Sequence, residues 1–258
     1  MSNQKVKIVS GWSNPGGSTV HHIGLTNLLN ANGYDCTFYG PHDWHRDKCK
    51  SGHISECELN VHDILISHFI QVATTNVKKH ILSCHETNLF PLQQIPTAGY
   101  DVIQYVSNFQ REWHGINHPF KIIPPRVEKI KWHNPKNVTA GVIGSIDEHK
   151  QTHKAVEMAL EDGFQKVLLY GQITDLEYYN QRIAVYDSDV VEVCNHVDDK
   201  EAMYGSVEAV YHASKRETYG LVEAECKLAG VPYRGVQNNP EILTDEEILE
   251  RWKTVLES

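Results

Sequence analysis

The chain has 258 residues, with 40 % hydrophobic and 22 % charged side chains and a net charge of −9. That balance is the one a globular protein keeps, with enough length for one large or two small domains. The acidic surplus argues against non-specific binding to a phosphate backbone, which needs a basic surface. No apolar run approaches the ~20 residues of a membrane-spanning helix, and the N-terminus lacks the pattern of a signal peptide, so a cytoplasmic location is expected. The six cysteines (Cys36, Cys49, Cys57, Cys84, Cys194, Cys226) are scattered, which suits reduced thiols.

In chain order, Val6 to Val9 reads as a short buried strand. The turn cluster Asn14-Pro15-Gly16-Gly17-Ser18 follows. His22, Leu25, Leu28 and Leu29 recur at helical spacing, and the helix should stop near Asn32-Gly33. "YDCTFYG" is the next strand, completing a β-loop-α-β unit of the kind that builds parallel sheets. The pattern continues with "DILISHF" (strand), "TTNVKKH" (short helix), "ILSCHE" (strand), "DVIQYVSNFQREWH" (strand into helix) and "FKIIPPRV" (strand). A second series then runs "VTAGVIGS" (strand), "HKAVEMALEDG" (helix), "KVLLYG" (strand), "LEYYNQRIA" (helix), "VVEVCN" (strand), "DKEAMYGS" (helix) and "EAVYHAS" (strand).

Two α/β series joined near Pro125 to Pro135 predict two Rossmann-like, doubly wound parallel-sheet domains, residues 1–127 and 128–258. Such sheets hold ligands beyond the carboxyl ends of their strands, so two of them place a site in the cleft between. "TDEEILERWKTVLE" predicts a final helix, with Thr244 as N-cap and acids in its first turn, packed in the second domain or returned to the first.

The densest chemistry lies in "RETYGLVEAECKLAGVP", Arg216 to Pro232. Glu217 stands just before a glycine, at the mouth of a helix whose free N–H groups favour anions. Glu225 falls about two turns further along. An ordinary amphipathic helix with two solvated glutamates is the plain alternative. The stretch resembles the Glu-x7-Glu signature of retaining glycosyltransferases of the GT-B fold, specifically family 4. Glu217, Tyr219, Gly220, Leu221, Glu225, Gly230 and Pro232 fall in its register. "NPGGSTVHHIGLTNLLNANGYDCTFY", "ILSCHET", "YVSNFQREW", "IIPPRVE", "VIGSIDEHKQTHKAVEMA", "VLLYGQ" and "NNPEI" resemble further family motifs in the same order.

The resemblance implies roles. Glu225 should bind ribose hydroxyls of a nucleotide-diphosphate-sugar donor, with Tyr219, Gly220 and Leu221 beside it, and Glu217 should touch the transferred sugar. Lys150 should neutralise the diphosphate, Gly16 and Gly17 should let the first loop approach it, and His85 should lie near the reacting carbon. Backbone at Asn195, His196 and Val197 should cradle the base. The implied activity is retaining transfer to an acceptor hydroxyl, with neither cofactor nor metal. Departures stand beside it. Ser145 occupies the donor-site position of a family arginine, with Arg126 and Arg216 as candidate substitutes, and Pro125-Arg126 replaces Asn-Gly at the hinge. The chain is also shorter than typical members, which suggests a compact enzyme of the kind that occurs in viruses.

Rival signals are fewer. Asp187 to Asp189, "DSD", matches a metal-binding triplet of another transferase fold, but a solvated turn is the simpler reading. His42, His45, Cys49, His53, Cys57 and His62 are zinc-type ligands in no recognised spacing. Residues 111 to 136 mix Arg111, Lys121, Arg126, Lys129, Lys131 and Lys136 with Trp113, Phe120 and Trp132. That mixture fits an interdomain connection or a nucleic-acid patch. A transferase acting on modified DNA, and a non-catalytic nucleotide-sugar-binding module, are the alternatives.

Overall fold

A computed structural model describes residues 5–70, 76–86 and 99–258. The chain divides into two compact units, Met1–Arg126 with Glu241–Ser258, and Val127–Pro240. No described helix is long and apolar enough to cross a membrane.

The first unit is a seven-stranded parallel sheet. Its strands are β1 (Lys5–Ser10), β2 (Asp35–Gly40), β3 (Ser51–His53), β4 (Ile64–His68), β5 (Lys79–Cys84), β6 (Val102–Tyr105) and β7 (Phe120–Ile122). They lie in the order β3-β2-β1-β4-β5-β6-β7. Val6 sits between Cys36 and Ile64 in the register, so β1 is an interior strand paired on both sides. β4 and β5 are buried along their whole length, as strands covered on both faces must be. Helix α1 (Gly17–Ala31) buries Ile23, Leu25 and Leu29, and Gly33 (φ 87°) follows its end. Helix α2 (Asn108–His114) is capped by Ser107, whose hydroxyl accepts from Gln110 N at 3.1 Å, and stops at Gly115 in the left-handed region.

The second unit is a five-stranded parallel sheet, β10-β9-β8-β11-β12. Its strands are β8 (Thr139–Ile143), β9 (Lys166–Tyr170), β10 (Val191–Val193), β11 (Ala209–His212) and β12 (Tyr233–Gly235). Helices α3 (Thr152–Glu161), α4 (Leu176–Arg182), α5 (Lys200–Gly205) and α6 (Leu221–Ala229) alternate with them. Ala140, Val142, Val156, Val167, Leu169 and Tyr211 form one core cluster; Tyr204, Val210, Cys226 and Val231 belong to another.

The expected element series is present with three differences. The helix expected over 74–80 is absent where it can be seen: 74 and 75 lie outside the described residues, 76–78 are not helical, and Lys79 and His80 open β5. β3 and β12 are strands of three residues with too little apolar pattern to announce themselves. The final helix, whose placement the sequence left open, is α7 (Asp245–Leu256) and belongs to the first unit. The reason is its apolar face: Ile248, Leu249, Trp252, Val255 and Leu256 share one core cluster with Val6, Ile8, Ile64 and Ile81.

Candidate functional site

In an open parallel sheet, ligands bind past the carboxyl ends of the strands where the winding changes direction. In the second unit this point lies between β8, which is followed outward by β9 and β10, and β11, which is followed outward by β12. The loops leaving β8 and β11 carry Lys150 and Glu217. Their side chains meet, with Lys150 Nζ 2.5 Å from Glu217 Oε1. His212, the last residue of β11, approaches the same oxygen through Nε2 at 2.8 Å.

The β8 loop is built to deliver the lysine. Gly144 takes φ 137°, and the Lys150 stem runs past the space where a side chain would begin. Asp147 organises the turn: its carboxylate accepts from Ser145 Oγ at 2.6 Å, Thr174 Oγ1 at 2.9 Å and Lys150 N at 2.8 Å. Two further bonds tie the loop to the one after β11. His149 Nε2 meets the Arg216 carbonyl at 3.1 Å, and Lys215 N donates to the His149 carbonyl at 2.9 Å. Burial works against ionising Glu217, but the His212 hydrogen bond and the Lys150 charge outweigh it and hold the carboxyl well below its usual range. Both side chains keep some solvent access, 25 % for Lys150 and 16 % for Glu217. An ammonium has three donors, and two of them are not needed for Glu217.

Tyr219 is buried, and Gly220 caps α6 in the left-handed region (φ 84°), against Asn238. Leu221 opens that helix. Glu225 points elsewhere than Glu217. It is 3 % exposed and accepts from Lys200 Nζ at 2.6 Å and Tyr204 Oη at 2.7 Å. Glu223, passed over in the sequence, is also buried and accepts from the backbone N–H groups of Asn238 and Asn239, at 2.7 and 3.2 Å. Asn195, His196 and Val197 follow β10, on the same carboxyl edge but two strands from β8. Asn195 has φ 60°, and His196 pairs with Asp198 at 3.0 Å.

Gly16, Gly17 and His85 belong to the first unit. There the winding changes direction between β1 and β4. Gly16 caps α1 without a side-chain bond, and a Cβ on it would meet nothing nearer than Asn14 O at 3.9 Å. The glycine therefore keeps backbone open rather than relieving a clash. His85 follows β5 and lies among His21, His22 and His68, with ring centroids 4.6, 5.0 and 5.3 Å away. Burial, and then the other three histidines, push its pKa well down, so His85 is a neutral imidazole.

Arg126, considered as a replacement for the missing arginine, is held by Asp245 through two bonds of 2.6 and 3.0 Å. Among the described residues the only group suited to a metal ion is His21, His22 and His85. Neither the His42 to His62 segment nor Asp187 to Asp189 forms one. Asp187 instead accepts from Asp189 N at 2.8 Å, which makes the triplet a turn.

By sequence the chain matches no protein-family profile and no curated protein. By structure it resembles Anabaena HepE, solved in complex with UDP-glucose, with TM-score 0.67 at 12 % identity over 97 % of this chain and 89 % of that one. The fold is GT-B. AviGT4, a glycosyltransferase involved in avilamycin A biosynthesis, gives 0.63 at 16 % identity over 96 % and 87 % of the two chains. WaaG, a glycosyltransferase involved in lipopolysaccharide biosynthesis, gives 0.63 at 11 % identity over 98 % and 90 %.

Proposed function

We propose that this chain is a retaining glycosyltransferase that moves a sugar from a nucleotide-diphosphate donor to an acceptor hydroxyl, with no metal at the diphosphate. The observation that carries this reading is the Lys150–Glu217 pair at the winding reversal of the second sheet. The likeness to a protein solved with UDP-glucose supports it and makes uridine the first nucleotide to try.

In this reading Lys150, just before the N-terminus of α3, neutralises the diphosphate together with the free N–H groups of that helix. The bond from the anomeric carbon to the β-phosphate oxygen breaks, and its electron pair stays on the phosphate. The acceptor oxygen bonds to the same face of the carbon and passes its proton to that phosphate. Charge grows on the leaving group as the bond breaks, so a fixed cation there acts mostly in the transition state. Glu217, ionised by its partners, holds hydroxyls of the transferred sugar. Asn195 to Val197 supply backbone to the base. Glu225 binds the ribose diol by sharing its carboxylate with Lys200 and Tyr204.

A second reading is a binding module without turnover. It is favoured by Ser145, whose hydroxyl is turned to Asp147 and brings no charge to the phosphates. One experiment separates the two. UDP, GDP and ADP are each tested for a rise in melting temperature, since a ligand bound only by the native state stabilises as RT ln(1 + [L]/Kd). Nucleotide release from the matching donor is then followed without acceptor in excess EDTA. A rise with one nucleotide and release in EDTA support the transferase. A rise without release of any donor supports the module, and no rise with any nucleotide overturns both. Release that stops in EDTA and resumes with magnesium overturns the metal-independent chemistry.

A further inference from the structure

The four histidines around the carboxyl ends of β4 and β5 are more than the transfer reading uses. His21 is 3 % exposed, and both of its ring nitrogens lack a hydrogen-bond partner. His22 is fully buried, and its Nδ1 is likewise without one. An imidazole sealed from water with unmet polar atoms costs stability, so two of them side by side on α1 call for a reason.

The hydrogen bonds beneath them fix which nitrogens carry protons. Gln104 Nε2 donates to the Ile123 carbonyl at 2.8 Å, which turns the amide oxygen toward Ser83. The single Ser83 proton goes to that oxygen at 2.7 Å. Ser83 Oγ can then only accept. It faces His85 Nε2 at 3.1 Å and His22 Nε2 at 3.3 Å, so both rings carry hydrogen on Nε2 and a lone pair on Nδ1. His68 stands outside this set, because its nitrogens face Ser10 Oγ at 2.8 Å and Glu86 Oε2 at 3.0 Å.

We propose that His21, His22 and His85 form a binding site for a divalent transition-metal cation of the zinc class, held by one neutral imidazole nitrogen from each. One ring nitrogen from each of the three lies within 4.8 Å of the others. Tetrahedral zinc, with bonds of about 2.0–2.1 Å, sets its ligand atoms ~3.4 Å apart. The rings need to close by roughly an ångström, within the reach of side-chain rotation. Ser83 supplies what a ligating histidine normally has, an acceptor for its second N–H that fixes tautomer and orientation. Burial, and then the nearby histidines, favour the neutral, metal-binding form of all three rings. Three protein ligands leave a fourth position for water or a small anion. The bound ion would cross-link α1 to the end of β5. The site requires nothing of the transfer reaction and is tested by binding alone.

The test uses the full chain freed of metal, titrated with cobalt(II) and followed by the visible spectrum of the ion, then displaced with zinc. One cobalt per chain with the intense bands of tetrahedral coordination is expected. His21→Leu should abolish that spectrum, and its metal-free form should melt no lower than the parent, since it deletes two unmet polar atoms. Ser83→Ala should weaken binding by roughly 10–100-fold. No tetrahedral spectrum, or the same spectrum and affinity in His21→Leu, overturns the site. Should His21→Leu fail to fold, His85→Gln carries the same comparison, and there too unchanged binding overturns it.

Discussion

Lys150 was legible in the sequence through the ordered set of family-like motifs, and Glu217 through that set and its place at a helix mouth; the side chains that set their chemistry were not. His212 and Asp147 come from separate segments, and nothing local in "AVYH" or "IDEHK" says that one meets Glu217 and the other cradles the Lys150 backbone. A usable signal was available for His68, His85 and His212. Each ends, or directly follows, a buried parallel strand, which puts it on the ligand edge of its sheet. Lys150→Ala should lower kcat by about 100- to 1,000-fold, the usual cost of removing one preorganised charge contact, with a smaller effect on nucleotide affinity. A loss below tenfold would assign the phosphates to another cation. Glu217→Gln tests the ion pair through pH. The folded-state pKa of Glu217 is depressed, so its ionised form stabilises fully above about pH 5; that contribution starts to decline below the unfolded value of ~4.3 and is lost only as pH falls through the lower folded-state value. Melting temperatures from pH 7 to pH 3 should show the wild type ahead at neutral pH and the gap to Glu217→Gln closing in acid. Glu225→Ala should raise KM more than it lowers kcat. It should also cost about 2–3 kcal/mol in denaturant titration, because it strips a buried carboxylate from Lys200 and Tyr204.

The longer elements announced themselves: α1, α3 and α7 have helical apolar spacing and end signals, and β1, β4 and β8 are short apolar runs between turns. What failed was short or ambiguous. β3 and β12 have three residues each, and "TTNVKKH", read as a short helix, runs into β5 at Lys79. In the structure Lys79 is buried, and its ammonium donates to the Val255 carbonyl at 2.7 Å, a partner 176 residues away that no local window contains. The glycine after β9 is a sharper constraint than its neighbours suggest. A Cβ at Gly171 would overlap the carbonyl oxygen of Gly144, at the root of the Lys150 loop. Gly171→Ala should therefore destabilise the protein by about 3 kcal/mol or more and weaken nucleotide binding with it. If nucleotide still raises the melting temperature as before, the two loops are not coupled. At α7, Thr244 Oγ1 and Glu247 cap each other's backbone N–H groups at 3.2 and 2.8 Å. Thr244→Ala should cost about 1 kcal/mol.

Each unit has its own sheet and core, but only the second is made of one continuous stretch of chain. Sequence periodicity showed two α/β series and could not show which core would take the last amphipathic helix, because both offer apolar surface. Trp252 decides the matter: it is fully buried among side chains of the first sheet. Trp252→Ala should cost about 3–5 kcal/mol. Hydrogen exchange should show the loss in β1, β4 and β5 and spare β8 and β9. Equal loss in both sheets would mean that the units unfold as one. The same threading sets an order of events during synthesis. Domains generally fold as units, the N-terminal one first, but here the first-made sheet waits for Glu241–Ser258, which leave the ribosome only after all of Val127–Pro240. The unit begun second is the first that can be completed, and until then the nascent first sheet keeps bare the apolar patch that Trp252 will cover.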